Sequence, residues 1–429
     1  MINNIDMTEK KLNEKVYLLV PVFGEKENVK AYDNFDERIA EAEALVESAG
    51  ATIVGYGTQN IREVNPATIF GKGKLASFKT DAEEKGATTV ICDCSLSPAQ
   101  AKNLSDFFDL KTIDKTALIL DIFALNARTN EGKLQVEVAQ LEYLLPRLKG
   151  QGKSMSRLGG GIGTRGPGET KLETDRRHIL SRIKNLKSQL KELAERRERQ
   201  NERRSKNGVL TVALAGYTNA GKSTLLNLLS GSDALAEDRL FATLDPTARK
   251  VRLGKTDVVF FDTVGFIRDI PTDLIEAFKS TLSCIKNADF ILNVCDLTRD
   301  FISQSETTDR ILKEIGVMSP VIKVYNKCDN IRDFTLCDKN AIIISARTGQ
   351  GVDELKRRIE NFFDEQFVEC VIRLDYSKQD LFFRQKKYAE RYEIKYLDNE
   401  IEIKLRVKKT EYHRFAEMIE SEKIKSEEP

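Results

Sequence analysis

The sequence predicts an α/β chain in four parts: an N-terminal α/β domain, an antiparallel helical hairpin, a second α/β domain with a mostly parallel sheet, and a small α+β C-terminal domain. Three observations predict it. Short apolar runs alternate with helix-spaced apolar positions near the start. Two series of Leu, Ile and Val spaced 4-3-4-3 follow. Beyond them a buried strand runs directly into a glycine-rich loop and an apolar helix. The expected boundaries are 1–128, 129–206, 207–366 and 367–429.

In the first part, Val16–Val22 and Ala51–Tyr56 read as buried strands. Between them Ile39, Ala42, Leu45 and Val46 take helical spacing within Phe35–Ser48. Ala87–Cys92 is a further strand and Pro98–Phe107 a further helix, so the β-α-β rhythm implies a parallel sheet. FGKGK, Phe70–Lys74, has two glycines and reads as a turn before a helix rather than as a phosphate cradle.

The hairpin is predicted from Leu134, Val138, Leu141, Leu145 and Leu148 on one side and Ile179, Ile183, Leu186, Leu190 and Leu193 on the other. Pro146 should end or kink the first helix, and Glu169–Glu173 should open the second, where acids suit the positive end of the helix dipole. The linker KGQGKSMSRLGGGIGTRGPGET has no apolar periodicity and many glycines, which predicts a long mobile loop at the tip. The chain as a whole carries only +1, but Lys149–Lys206 holds 17 Lys/Arg against 7 Asp/Glu, so this stretch is +10 and the remainder −9. In the Glu-rich run LKELAERRERQNERR the charges suit a solvated helix face. Lys149, Lys153, Arg157 and Arg165, on an apolar-poor glycine segment, suit phosphate backbones and folded RNA.

The last part reads β-α-β-β-α: strand Val368–Leu374, helix Gln379–Ala389, a hairpin of Arg391–Tyr396 and Ile401–Val407 about Leu397–Glu400, and helix Glu411–Ile419. It carries no recognisable chemistry. Seven scattered cysteines and two histidines show no zinc spacing, and the cysteines read as reduced core residues. MINNIDMTEKKLNEK lacks the apolar core of a signal peptide. Val16–Phe23 is far too short to cross a bilayer. A soluble, cytoplasmic monomer without a membrane span is expected, with peripheral membrane association left open.

The chemistry lies in the third part. GYTNAGKST, Gly216–Thr224, stands between the strand Gly208–Ala215 and the helical LLNLLS, the context a phosphate-binding loop requires. Its residues Gly216, Tyr217, Thr218, Asn219, Ala220, Gly221, Lys222, Ser223 and Thr224 should wrap the β-phosphate with backbone N–H groups. Lys222 should reach the β- and γ-phosphates, and Ser223 should offer its hydroxyl to Mg²⁺. FFDTVGF, Phe260–Phe266, puts Asp262 at a strand end, where it can hold a Mg²⁺ water, and lets Gly265 turn an N–H toward the γ-phosphate. NKCD follows the strand Val321–Tyr325. Asp329 matches the two N–H donors of a guanine edge and would be left unpaired against adenine. Lys327 should lie along the base, and Asn326 should tie this loop to the phosphate loop. IISARTG places Ser345 and Ala346 to offer an N–H to the guanine carbonyl. The ordered set identifies a P-loop GTPase domain. Between the first two motifs a threonine must close on Mg²⁺ and the γ-phosphate, and both Thr243 and Thr247 qualify. Phe266 stands where a water-orienting Gln would act, so unaided hydrolysis should be slow.

QVEVAQLEYLLPRL, GGGIGTRGPGETKLETDRR, GYTNAGKST, FATLDPT and FFDTVGF together resemble the HflX family of translation-factor-related GTPases, from about Val16 to Glu365. By that resemblance Thr243 is the switch threonine, joining Lys222 and Gly265 as catalytic and Ser223 and Asp262 as metal-holding residues. Asn219 matches the asparagine that binds K⁺ in similar cation-activated GTPases. The resemblance implies association with the large ribosomal subunit and its rRNA, and the splitting of stalled ribosomes under stress. A GTP-dependent RNA maturation or ribosome assembly factor is the alternative, and a switch that binds only proteins is a weaker one.

Overall fold

The computed structural model describes residues 14–23, 35–150, 167–206, 209–232, 240–241, 246–254, 256–268, 271, 274, 279–331, 341–409 and 411–415, with the backbone alone at 149–150, 167–172, 200–206 and 279–281. The chain divides into two compact units. One comprises residues 1–192, 237–246 and 264–283, and the other 193–236, 247–263 and 284–429.

The first unit opens with β1 (Lys15–Phe23), α1 (Phe35–Ser48), β2 (Thr52–Ile61), α2 (Lys72–Glu84), β3 (Thr89–Cys92), α3 (Pro98–Phe108), β4 (Lys111–Asp114), α4 (Lys115–Asn126) and α5 (Asn130–Leu144). The four strands form one parallel sheet in the order β2-β1-β3-β4. Because strand side chains alternate, Tyr17, Leu19, Val90 and Cys92 pack with Phe70, Phe78 and Leu104 in one core layer. A sheet buried on both faces reads as continuous apolar runs, which is why Val16–Val20 is buried at every position. Helix starts follow local chemistry. Ser97 and Gln100 form a reciprocal capping box at α3, and Asp114 and Thr129 cap α4 and α5. In FGKGK, Gly71 gives its N–H to Gln59 Oε1 at 3.0 Å and precedes α2.

Helix α6 (Pro167–Lys206) runs for 40 residues and begins two residues before the expected Glu169, since proline is well suited to a first helical turn. Leu134 and Val138 of α5 and Ile183 and Leu186 of α6 are buried as the 4-3-4-3 seams require. Arg182–Glu137 and Lys187–Glu142 ion pairs link the same two helices. The expected tip loop lies outside the described residues, from 151 to 166. Its approach is fixed by Arg147, which donates to Leu96 O at 2.7 Å and to Asp114 Oδ2 at 3.2 Å and stacks over the Tyr143 ring. Tyr143 Oη also donates to Asp114, at 2.8 Å.

The second unit contains β5 (Leu210–Gly216), α7 (Lys222–Ser230), β6 (Thr247–Leu253), β7 (Thr256–Asp262), α8 (Lys279–Lys286, shared with the first unit), β8 (Phe290–Asp296), α9 (Phe301–Glu314), β9 (Val321–Asn326), β10 (Ile342–Ile343) and α10 (Val352–Asp364). Its six-stranded sheet has the order β10-β9-β8-β5-β7-β6, parallel except for β6. The fold class is therefore as the sequence implies. The C-terminal portion has β11 (Phe367–Asp375), α11 (Gln379–Gln385), β12 (Ala389–Tyr396) and β13 (Glu400–Lys408) in a three-stranded antiparallel sheet ordered β11-β13-β12. The helix expected to reach Ala389 stops at Gln385. A short 3₁₀ turn then leads into β12, whose Ala389 pairs with Val407. Of the expected helix Glu411–Ile419, residues 416–419 lie outside the described residues.

Candidate functional site

The loop of GYTNAGKST sits between the central strand β5, which lies between β8 and β7, and the start of α7, so its geometry is set by the sheet beneath it. Gly216 has φ 141°, and a Cβ there would lie 2.1 Å from Val294 O in β8. Gly221 has φ 90°, and its Cβ would lie 2.2 Å from Asn326 Nδ2. Both positions exclude a side chain twice over, by conformation and by contact. Asn219 occupies the left-handed region at φ 61°, which asparagine tolerates better than most residues. Lys222 is buried, and its Nζ donates to Gly216 O at 3.1 Å and Tyr217 O at 2.7 Å. Burial lowers its pKa from 10.5 to about 8, with Asp262 pulling the other way. Tyr217, Thr218 and Ala220 are buried in the loop, and Ser223 and Thr224 begin the helix.

Asp262 ends β7 beside β5, and Ser223 Oγ donates to its Oδ2 at 2.6 Å. Two hard oxygen donors are thus adjacent at the head of α7, the donor type that magnesium takes. Thr263 Oγ1 donates to Leu214 O at 2.7 Å and fixes the exit from β7. Thr247 opens β6 and pairs with Asp262 across the ladder. Thr243 lies outside the described residues.

A second set of loops meets at the ends of β9 and β10. Asn326, 2% exposed, donates through Nδ2 to Ala220 O at 2.8 Å and accepts at Oδ1 from Ala346 N at 2.8 Å. One side chain therefore ties together GYTNAGKST, NKCD and IISARTG. Lys327 has φ 67°, and its Nζ pairs with Asp296 Oδ2 at 2.7 Å. Asp329 is exposed in the 3₁₀ turn Cys328–Asn330. Ser345 is fully buried and accepts from Thr348 N, while Cys328 N donates to Ile344 O. Sequence reasoning missed Asp296, which also accepts from Thr298 N and Oγ1. Its signal is positional: it ends the apolar strand FILNVCD as Asp262 ends VVFFD.

Gly265 and Phe266 are buried within the other unit's segment 264–283. In that unit Arg268 pairs with Glu37 of α1 at 3.1 Å. Leu240 N donates to Ser48 Oγ, Asn126 Nδ2 to Phe241 O, and the Phe241 ring stands edge-on to Phe123 at 4.8 Å.

Comparison with known proteins accounts for most of the chain. Residues 36–124 match the family model for the GTP-binding GTPase N-terminal region, 126–204 the GTP-binding GTPase middle region, and 211–327 the 50S ribosome-binding GTPase. The GTPase HflX of Caldanaerobacter subterraneus subsp. tengcongensis is 51% identical over 76% of this chain and 77% of its own. The chain belongs to the HflX GTPase family. The GTPase HflX of Escherichia coli is 41% identical over 79% of this chain and 82% of its own. Among solved structures, a GTP-binding protein of Sulfolobus solfataricus in complex with GDP aligns at 25% identity and a TM-score of 0.42, covering 81% of this chain and 98% of that one. As an HflX family member the chain is a GTPase, and GYTNAGKST, Asp262 and Asn326 all lie within the residues that match the 50S ribosome-binding GTPase model. Among the described residues no helix is long and apolar enough to cross a membrane.

Proposed function

We propose that this GTPase works on the ribosome in the cytoplasm, docking as a monomer on the large subunit and its rRNA in the GTP state and separating the subunits of stalled or stressed ribosomes. The observation that carries the reading is the mounting of the basic glycine-rich segment 149–166. Its N-terminal flank is Arg147, which Asp114, Tyr143 and Leu96 hold, and its C-terminal flank is the 40-residue helix α6. Cationic residues delivered from so firm a base suit a cavity walled by phosphates. The match of 211–327 to a 50S ribosome-binding model supports the same partner. The four-part division at 128, 206 and 366 then separates an N-terminal body, an RNA-directed hairpin, the G domain and a C-terminal sheet.

At the nucleotide, the N–H groups of Gly216–Thr224 cradle the β-phosphate, and Lys222 supplies the charge that offsets the transferring phosphoryl group. Ser223, Asp262 and Thr243 are the residues that would hold Mg²⁺, which when bound neutralises charge between the β- and γ-phosphates. Gly265 directs its N–H at the γ-phosphate. Asn326 keeps the base loop on the phosphate loop, Asp329 and Lys327 select guanine, and Ser345 and Ala346 line the base. Phe266 cannot orient water, so hydrolysis awaits the ribosome or K⁺ held at Asn219. Binding energy of the GTP state does the work on the particle, and hydrolysis resets it.

Sedimentation with intact ribosomes and separated subunits, with GTP, GDP or a non-hydrolysable analogue, tests the proposal. Nucleotide-dependent cosedimentation with the large subunit and loss of the intact-ribosome peak are expected. An unchanged ribosome profile in every nucleotide state overturns it. Binding only to incomplete particles would favour the maturation alternative.

A further inference from the structure

Outside the nucleotide site, the first unit carries a pair of thiols at the end of β3. Cys92 is the last residue of the strand and fully buried, while Cys94, two residues on, is half-buried in the bend that follows. Both side chains pack in the core layer with Phe78, Leu104 and Phe107. Their sulfur atoms are 3.4 Å apart. Closing that gap to a disulfide needs a movement of about 1.4 Å, within the reach of side-chain and backbone adjustment at a bend.

We propose that Cys92 and Cys94 are a modification site, oxidised by hydrogen peroxide to an intramolecular disulfide that displaces Asp93 and its ion pairs. The order of events follows from access. Cys94 reaches solvent, so its thiolate attacks the peroxide: an S–O bond forms, the O–O bond breaks, and the departing oxygen leaves as water after taking a proton. The resulting Cys94 sulfenic acid is then attacked by the Cys92 sulfur. The S–S bond forms, the S–O bond breaks, and the oxygen leaves as a second water carrying the Cys92 proton. Two thiols lose two electrons and two protons, and one peroxide becomes two waters. Cys92 is the resolving residue. Its thiol is pushed well up by the hydrogen bond with Cys94, then by burial, then by Cys94, Asp93 and Asp114, and burial keeps external thiols from it.

The residue between them gives the modification a consequence. The Asp93 carboxylate takes Arg38 Nε at 2.7 Å and Lys115 Nζ at 3.3 Å, and its carbonyl accepts from Arg38 Nη2 at 3.1 Å. Lys115 also pairs with Glu41 at 3.3 Å. Drawing Cys92 and Cys94 together bends the backbone at Asp93 and moves this buried carboxylate off its partners. Arg38 and Glu41 belong to α1, whose Glu37 pairs with Arg268, three residues past Gly265. Oxidation thus loosens α1 and, through it, the segment that follows DTVG.

The test uses the reduced full-length chain. After hydrogen peroxide treatment, alkylation and trypsin, the peptide 86–102, which ends at Lys102 and holds both cysteines, should appear unalkylated and lighter by two hydrogens. Cys94→Ala should never yield that product. In the untreated wild type, phenylarsine oxide, which bridges paired thiols, should protect both from alkylation. Hydrogen exchange in Phe35–Ser48 should accelerate on oxidation in the wild type and not in Cys94→Ala. Retention of two alkylatable thiols while other cysteines oxidise, or failure of phenylarsine oxide to bridge them, overturns the site. Disulfide formation with unchanged exchange in α1 overturns the relay through Asp93.

Discussion

Replacing Asn326 with Ala removes a single side chain and leaves two buried backbone groups without their partners, Ala220 O and Ala346 N. Asn326 is 2% exposed, so water does not readily take its place. Each such group costs about 1–3 kcal/mol when left unpaired, and partial relaxation of the Gly216–Gly221 and Ser345–Gly349 loops should bring the total to about 2–4 kcal/mol. The fold remains, because β9 keeps its parallel ladder with β8. The three loops would then be ordered at the moment of nucleotide binding instead of beforehand. That should raise the dissociation constant for GDP at least about tenfold, or about 1.4 kcal/mol. Urea unfolding followed by circular dichroism reads the first quantity, and displacement of a fluorescent GDP derivative reads the second. Lys327→Ala is the comparison: Asp296 retains two donors from Thr298, so its stability loss should be smaller. If Asn326→Ala were within about 0.5 kcal/mol of the wild type, a range typical of surface substitutions, the junction would not hold these loops together.

Further expectations follow from the same geometry. Asp329→Asn should shift preference from guanosine to xanthosine nucleotides, and equal binding of GTP and ATP by the wild type would remove the base assignment. Lys222 has a folded pKa lowered to about 8 from 10.5, so the nucleotide-free chain bears the cost of its buried charge below pH 8 and sheds it as pH rises toward 10.5. Its contribution to stability should therefore increase across that window, and Lys222→Met should lose the increase and abolish hydrolysis. At pH 8.5 GTP binding should take up protons at Lys222, visible as a buffer-dependent heat, and no buffer dependence would contradict this. Replacing Na⁺ by K⁺ should accelerate turnover if Asn219 holds the cation, and identical rates would leave the ribosome as the activator. Shortening Gly159–Gly168, or changing Arg157 and Arg165 to Glu, should spare intrinsic GTP hydrolysis and reduce subunit separation and the salt dependence of ribosome binding. A loop-shortened chain that splits ribosomes at the normal rate would refute that role.

Strand, loop and helix around GYTNAGKST are contiguous, so the local order of residues was enough to place β5, the glycine loop and α7. Periodicity was enough for α5 and α6, because Leu134, Val138, Ile183 and Leu186 must lie on one stripe whatever they meet. The family, and with it the GTPase activity, followed from the resemblance of contiguous motifs such as GYTNAGKST and FFDTVGF to those of HflX proteins. What could not be read there depends on residues far apart in sequence. The clash of a Gly216 Cβ with Val294 O exists only because β5 lies beside β8. Asn326 reaches Ala220 across 106 positions. Asp114 joins Leu96, Tyr143 and Arg147, and so fixes the C-terminal end of α5. The helix expected to run to Ala389 was shortened by pairing of that residue with Val407, a tertiary partner outweighing local propensity. Cys92 and Cys94 read as scattered core residues until the bend after β3 brought their sulfurs together. Local conformation and periodicity are short-range properties that the chain carries wherever it goes, whereas partners for buried polar groups are chosen only when the sheet closes and water is excluded.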